Sequence, residues 1–198
     1  MNGDIFQEDR SVWETAVREY YSMILMQEVT PALDDLNPAR IGFVSDLIDE
    51  CWKDRTGFDC LDCGCGSGLG SLVLREKGIS PLSFDNDSSL ISLGLSKSRL
   101  IPGETMLIDA TQASSYCRGA EGGLGLMFGE INAFNEQEWE MITAELLALT
   151  RFSLITVGTE REARLIQGWA KARRCQADVR ENPRDPIYDR WVCTIEQA

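Results

Sequence analysis

One stretch decides the fold of this chain: Phe58-Asp-Cys-Leu-Asp-Cys-Gly-Cys-Gly-Ser-Gly-Leu-Gly70. Its apolar start, residues 58–61, predicts a short buried strand that ends at Asp62. The alternating glycines that follow predict a tight turn, and the apolar residues 72–74 predict a helix that Gly78 ends. Glycine can adopt positive φ and has no side chain to keep a ligand away from the main chain. The stretch therefore predicts a ligand site where the helix begins, beside the Asp62 carboxylate.

The spacing of these glycines argues against a dinucleotide ligand. The dinucleotide fingerprint requires glycine at its first, third and sixth positions. Counted from Gly64 the sixth position is Leu69, and counted from Gly66 it is Ser71. The pattern present is an acidic residue followed by glycines at alternate positions, as far as Gly68. On this motif alone, a turn that merely packs a strand on a helix is an equally good interpretation.

The composition predicts one soluble domain. The chain has 198 residues, of which 43% are hydrophobic and 26% are charged, and this suits a single globular core. No apolar run is long enough to span a membrane, and the polar start lacks the basic residues of a signal peptide. We therefore expect no membrane partner and a cytoplasmic location. The formal net charge of −13 argues against a nucleic-acid partner, because phosphate backbones are bound by basic surfaces.

Seven cysteines, an odd number, predict free thiols in a reducing compartment. Cys60, Cys63 and Cys65 are spaced closely enough to suggest metal ligands. However, the chain contains no histidine, and two of these cysteines occupy the variable positions of the glycine motif. We interpret all three as small apolar side chains in tight space, and we expect no metal site.

The rest of the chain alternates between strand and helix patterns. Six further strands are predicted, at residues 80–84, 106–108, 124–128, 152–157, 177–180 and 190–195. Five helix starts carry capping signals, at residues 11–14, 37–38, 86–88, 135–138 and 159–162. This alternation predicts an α/β fold with a mostly parallel sheet covered on both faces, and the last two strands predict an antiparallel hairpin.

Aspartates end three successive predicted strands. Asp62, Asp85 and Asp109 are separated by intervals of 23 and 24 residues, about one strand and one helix each. The carboxyl ends of parallel strands lie at one edge of a sheet, so the three carboxylates are predicted to line one crevice beside the glycine turn. For each residue taken singly, helix capping is the alternative interpretation.

The acidic–x–Gly–x–Gly–x–Gly motif, together with these strand ends, resembles class I S-adenosylmethionine-dependent methyltransferases. The resemblance is strong over residues 58–110. It implies a three-layer Rossmann-like sandwich with a seven-stranded sheet, in which the last strand is inserted antiparallel. It also implies that S-adenosylmethionine is the cofactor, held at its amino-acid end by Asp62, on its ribose hydroxyls by Asp85 and on its adenine by Asp109. The full implied cofactor-binding set is Asp62, Gly64, Cys65, Gly66, Gly68, Asp85, Asn86, Asp109 and Ala110.

The resemblance also suggests roles outside the cofactor site. Residues 1–36 would form a helical lid over the domain at residues 37–198, with Tyr20 and Tyr21 in a substrate pocket. Glu130 follows the fourth strand and is predicted to be the general base. Asp109, the N-terminal tyrosines and Cys117 are the other candidates.

The predicted activity is methyl transfer to a small molecule, with a protein side chain as second choice. Residues 129–134 lack the Asn/Asp-Pro-Pro-aromatic sequence of enzymes that methylate nucleic-acid amino groups. Two other interpretations stay open. One is a non-catalytic module that binds S-adenosylmethionine or a nucleoside and regulates a partner, and the other is a nicotinamide oxidoreductase.

Overall fold

A single seven-stranded sheet forms the centre of the molecule. The computed structural model describes residues 7–53 and 55–197, and its strands run in the order β3-β2-β1-β4-β5-β7-β6. The strands are β1 (Asp59–Cys63), β2 (Ser80–Asp85), β3 (Thr105–Leu107), β4 (Ala120–Gly125), β5 (Thr150–Val157), β6 (Gln176–Glu181) and β7 (Trp191–Glu196). β1 to β5 are parallel where they pair, whereas β7 runs antiparallel to both β5 and β6. The predicted parallel sheet with a C-terminal antiparallel hairpin is confirmed.

Helices cover both faces of this sheet. They are α1 (Arg10–Glu28), α2 (Pro38–Cys51), α3 (Leu69–Glu76), α4 (Ser88–Ser96), α5 (Ala113–Tyr116), α6 (Glu136–Leu149) and α7 (Glu160–Ala172). One core cluster joins α2 and α3 to the sheet through buried side chains such as Leu47 and Val73. A second cluster joins α6 and α7 to the sheet through side chains such as Leu146 and Ile166. The three-layer sandwich is therefore confirmed.

The fourth strand begins earlier and ends earlier than predicted. It spans Ala120–Gly125, whereas the apolar run predicted residues 124–128. Its glycines are required by aromatic neighbours: a Cβ on Gly122 would lie 2.5 Å from the Phe58 ring and 3.1 Å from the Phe152 ring. The first residues of β4, Ala120 to Gly123, show no apolar alternation, so the sequence pattern placed the start of this strand four residues too late.

Three of the five capping signals act as predicted. Asn37 accepts a hydrogen bond from the Ala39 amide at 3.0 Å, Asp87 caps α4, and Thr159 forms a complete capping box at the start of α7. The other two were wrong. α1 begins at Arg10 after Asp9, with no side-chain cap, and the Asn135 side chain binds the Glu130 carbonyl instead of capping α6.

The N-terminal helix lies at the β3 edge of the sheet. α1 packs against α4, β3 and the 3₁₀ turn Pro102–Glu104. Arg18 Nε donates to the Gly103 carbonyl at 2.6 Å, and the Ser22 hydroxyl donates to the Pro102 carbonyl at 3.1 Å. Of the predicted lid segment, residues 1–6 lie outside the described residues.

Candidate functional site

The three strand-end aspartates meet at one cavity. Asp62, Asp85 and Asp109 all line a cavity of about 550 Å³ at the carboxyl edge of the parallel strands. A volume of this size is typical of small-molecule sites. β1 pairs with β2, and β2 with β3, so the aspartates are contributed by adjacent strands. The predicted crevice is present, with the glycine turn as one wall.

The glycine turn has the backbone that its sequence predicted. Gly64, Gly66 and Gly68 have φ of 67°, 50° and 87°, a region that side-chain-bearing residues rarely adopt. At Gly68 a Cβ would also lie 2.7 Å from Leu100 Cγ. The turn leads directly into α3, whose first residue is Leu69, so the amides of the first turn of this helix lie at the cavity.

Asp62 is almost completely buried, with 1% of its surface exposed. Ser71 Oγ donates to Asp62 Oδ2 at 2.5 Å and also contacts the Ser83 hydroxyl, which must then donate to Ser71. Burial raises the pKa of Asp62 from 3.8 to about 6, against the lowering effect of the Ser71 hydrogen bonds. Gly70 leaves room for the carboxylate, because a Cβ there would lie 2.8 Å from Asp62 Oδ1. Keeping the Asp62 carboxylate ionised at this cavity therefore costs folding free energy.

Asp85 joins the second strand to the glycine turn. Its Oδ2 accepts from the Gly66 amide and its Oδ1 from the Asp87 amide, both at 2.8 Å. Burial raises the pKa of Asp85, and the two backbone hydrogen bonds oppose this effect. A carboxylate offers about four acceptor positions, so Asp85 can still accept from two ligand hydroxyls. The helix cap predicted as the alternative belongs to Asp87, which accepts from Ser89 and Leu90.

The third aspartate lines the same cavity. Asp109 accepts from the Thr111 amide at 2.9 Å and from its hydroxyl at 2.7 Å, both through Oδ1. Ala110 and Asn86 line the same region. Phe128 and Trp139 add apolar surface to the same lining, and their ring centroids lie 5.1 Å apart. A cavity that combines aromatic surface with a carboxylate suits a planar heteroaromatic ring with an amino group.

The cysteines near the turn are buried, neutral side chains. Burial raises the pKa values of Cys60, Cys63 and Cys65 well above the ordinary thiol value. Over residues 7–53 and 55–197, no group of three or more His, Cys, Asp or Glu side chains is arranged to hold a metal ion. Cys63 and Cys65 also line the cavity, where they present sulfur and methylene surface.

Another group of residues at the cavity was not predicted from the sequence. Arg40 of α2 donates to Asp189 Oδ2 from Nε at 2.9 Å, and its guanidinium lies 4.8 Å from the Tyr188 ring centroid. Asp189 is buried, and its Oδ1 accepts from the Thr156 hydroxyl at 2.5 Å. The same hydroxyl accepts from the Met127 amide at 2.7 Å. This chain of contacts, the Arg40–Met127 relay, ties α2 and the C-terminal hairpin to the turn after β4.

The relay holds an unusual backbone conformation at the cavity. Met127 has φ of 50°, which costs a side-chain-bearing residue about 1–2 kcal/mol. Met127, Arg40 and Tyr188 all line the cavity, together with Asp35 and Leu36. No spacing pattern could have found this group, because Arg40 and Asp189 are 149 residues apart.

Four predicted site residues do not line the cavity, and one of them is Gly68, which packs against Leu100. Tyr20 and Tyr21 are 63% and 61% exposed on α1 and do not line the cavity. α1 is fixed at the β3 edge instead, and within residues 7–36 Asp35 and Leu36 are the residues that line the cavity. Glu130 is exposed outside the lining, since β4 ends at Gly125 and the turn through Gly129 takes the position at the cavity.

Comparison with solved structures agrees with this architecture. The magnesium protoporphyrin IX methyltransferase ChlM of Synechocystis PCC 6803, solved with bound SAM, matches with a TM-score of 0.63 and 15% identity over 98% of this chain and 100% of that one. The chain has the class I methyltransferase fold. RsmC, a 16S rRNA methyltransferase of Thermus thermophilus, matches with a TM-score of 0.59 and 16% identity over 84% of this chain and 45% of its own.

This methyltransferase fold serves more than one reaction. The precorrin 8w decarboxylase of Methanobacterium thermoautotrophicum matches with a TM-score of 0.56 and 15% identity over 78% of this chain and 89% of that one. No family model and no curated protein sequence matches this chain. Because RNA methyltransferases share the fold, the exclusion of nucleic acids that net charge predicted is not supported. Within the described residues, no helix is long and apolar enough to cross a membrane.

Proposed function

We propose that this chain is an S-adenosylmethionine-dependent methyltransferase. The observation that carries the proposal is the convergence of Asp62, Asp85 and a left-handed glycine turn on one cavity of about 550 Å³. When bound, S-adenosylmethionine supplies an electrophilic methyl group on a sulfonium. The chain's own contribution is to hold that group and the acceptor in line, since positioning supplies much of the rate of such displacements.

Each wall of the cavity has a role in this proposal. Asp85 accepts the two ribose hydroxyls through the acceptor positions that its backbone bonds leave free. Asp109 and Ala110 receive the adenine edge, with the apolar surface of Phe128 and Trp139 in the same lining. Asp62, ionised above a pKa of about 6, supports the cationic amino end, and Gly64, with φ of 67°, lets the ligand approach the main chain.

The acceptor enters beside the Arg40–Met127 relay. We favour a small molecule, with a protein side chain as second choice. Across the described chain, Arg40 is the one cation on the cavity lining, and its charge is already opposed by Asp189 at 2.9 Å and Asp185 at 3.7 Å. Asp35 and Glu138 add negative charge to the same lining. Such a wall disfavours the phosphates of an RNA acceptor.

A general base is needed only if the acceptor atom carries a proton of high pKa. We assign that role to Glu138 rather than to the predicted Glu130. Glu138 lies in the first turn of α6 and lines the cavity. The Glu130 side chain is exposed outside the lining, and only its carbonyl is used, as an acceptor for Asn135 Nδ2 at 2.9 Å.

Calorimetric titration tests the cofactor assignment. S-adenosylmethionine and S-adenosylhomocysteine are expected to bind, and NAD is expected not to bind. Asp85→Asn should weaken binding about 10- to 100-fold, because it removes a charged acceptor of hydrogen bonds. The matched control is Asp59→Asn, an exposed aspartate at the opposite end of the sheet, which should bind as the wild type does. Binding of NAD alone would support the oxidoreductase interpretation instead.

Transfer of a labelled methyl group then separates enzyme from binding module. Small amines, peptides and RNA are supplied as acceptors in parallel. The module interpretation would gain support if Trp13, Tyr20 or Tyr21 filled the space above the methyl group. These three side chains are instead at least 60% exposed on α1. Tight cofactor binding with no transfer to any acceptor class would favour the module.

A further inference from the structure

We propose that the outer face of α1 joins two copies of this chain in an antiparallel helix pair. The proposal concerns a surface away from the cavity and does not depend on the proposed function. The surface is the α1 stripe, defined as Trp13, Ala16, Tyr20 and Met23. These residues follow spacings of three, four and three, which place them on one face of a helix.

The α1 stripe is apolar and exposed. Trp13, Tyr20 and Met23 are 60%, 63% and 49% exposed, and Ala16 is exposed between them. The opposite face of α1 already anchors the helix through Arg18 and Ser22. The stripe is therefore not needed to hold α1 on the domain. Contiguous exposed apolar surface of this kind marks interaction sites.

The stripe is complementary to itself. A spacing of three, four and three reads the same in both directions, so a two-fold axis across the helix maps the stripe onto its own copy. Trp13 then faces Met23 of the partner subunit, and Tyr20 faces Ala16 of the partner subunit. Each pairing sets a large side chain against a smaller or more flexible one, as close helix packing requires.

The charges beside the stripe fit the same arrangement. Arg10 and Glu28 are 18 residues apart, which is five helical turns, so both lie on one flank of α1. Antiparallel pairing brings Arg10 of each subunit to Glu28 of the partner subunit, giving two ion pairs. Within one chain the Arg10 side chain, 80% exposed, already pairs with Glu14 at 2.7 Å, so Glu28 of the partner subunit would share or replace that contact. Glu28 is exposed at the other end of the helix.

The same charges argue against a membrane surface as the occupant. Helices that lie on membranes carry Lys and Arg on their polar face. α1 has no lysine, and Arg18 is turned toward Gly103. Glu19 and Glu28 are exposed. A second copy of the chain would cover the α1 stripe and pair Glu28 with Arg10, whereas an anionic bilayer would repel Glu19 and Glu28.

The expected dimer is weak. A helix of 19 residues is about 28 Å long, and one helix pair of that length falls at the low end of interface sizes, with dissociation on the order of micromolar. Sedimentation velocity of the full chain from about 1 to 200 μM should show a sedimentation coefficient that rises with concentration. A wild type that stays monomeric over this range overturns the proposal, and co-sedimentation of that monomer with anionic vesicles would assign the stripe to membranes.

Substitutions locate the surface. Tyr20→Glu should weaken association at least about thirtyfold, as expected for a buried aromatic anchor. Phe134→Glu is the matched control, since Phe134 is fully exposed elsewhere, and it should associate as the wild type does. Unchanged circular dichroism shows that both variants fold. If Tyr20→Glu associates as strongly as Phe134→Glu, another surface forms the dimer and the proposal fails.

Charge reversal tests the antiparallel register. Arg10→Glu and Glu28→Arg should each weaken association, and the double variant should recover wild-type association because both ion pairs are restored with reversed polarity. A parallel pairing places like residues opposite each other, so it predicts no recovery. Absence of recovery in a folded double variant rejects the register proposed here.

Discussion

Asp62→Asn should make the protein more stable and the cofactor site weaker. Asp62 is 1% exposed, and its pKa is raised by burial from 3.8 to about 6. At 1.36 kcal/mol per pKa unit, keeping this group ionised in the folded state costs about 3 kcal/mol at neutral pH. Asparagine has nearly the same shape and can still accept from Ser71, but it carries no charge to desolvate.

The sign of the pH dependence follows from the raised pKa. The folded state binds the Asp62 proton more tightly than the unfolded state does. The contribution of this group to stability is therefore full below about pH 4 and is lost as the pH rises through about 6. Asparagine does not titrate, so the advantage of the variant should be about 3 kcal/mol at pH 7.5 and about half of that at pH 5. For a chain of this size the larger value corresponds to about 6–12 °C in Tm.

Two measurements on the same samples check this expectation. Denaturant unfolding at pH 7.5 and pH 5 gives the free energy of unfolding, and calorimetry at pH 7.5 gives cofactor affinity. Affinity for S-adenosylmethionine should fall about 10- to 100-fold, the value of one charge-assisted contact. Asp59→Asn, on the exposed end of the same strand, should change neither quantity. A variant that is less stable than wild type at both pH values would refute the reasoning, since the carboxylate would then be net stabilising.

Three further substitutions test other parts of the site. Gly68→Ala should destabilise the fold by about 2 kcal/mol or more, because φ is 87° and the new Cβ has no room; Gly168→Ala, on α7 with open space around it, should stabilise by up to about 1 kcal/mol in the same unfolding assay. Thr156→Val leaves the buried Asp189 Oδ1 and the part-buried Met127 amide without this hydrogen-bond partner and should cost about 1–3 kcal/mol. Calorimetry should give a cofactor affinity within about twofold of wild type. Glu138→Gln should lower methyl transfer to a protonated acceptor about 100-fold or more, and Glu130→Gln should leave it unchanged; the reverse order would restore the sequence-based assignment.

The part of the candidate site around the glycine turn was predictable because local sequence determines it. A strand, a glycine turn and a helix are contiguous, and the parallel connection that follows places Asp85 beside Asp62 in a neighbouring strand. Adjacent parallel strands end at one edge, so regular spacing along the chain becomes proximity in space. Positive φ at Gly64 was predictable for the same reason, because only the turn itself is involved.

The Arg40–Met127 relay was not predictable from local patterns. Arg40 and Asp189 are 149 residues apart, and their contact depends on how the hairpin packs beside α2. Neither residue belongs to a motif, and the sequence does not distinguish the buried Asp189 from an exposed aspartate in a loop. The position of Glu130 was wrong for a related reason: β4 ends at Gly125, but its glycine-rich sequence did not indicate where the strand ends.

The position of β7 has a consequence for how the chain is synthesised. β7 (Trp191–Glu196) follows β6 along the chain and leaves the ribosome after it, yet it lies between β5 and β6. Until it emerges, β5 has an unpaired edge that faces solvent or a chaperone. Asp85 precedes Trp191, the first residue of β7, by 106 residues. A nascent chain therefore carries the glycine turn and Asp85 long before this sheet can close, and translational arrest within the β6–β7 hairpin would leave an aggregation-prone intermediate.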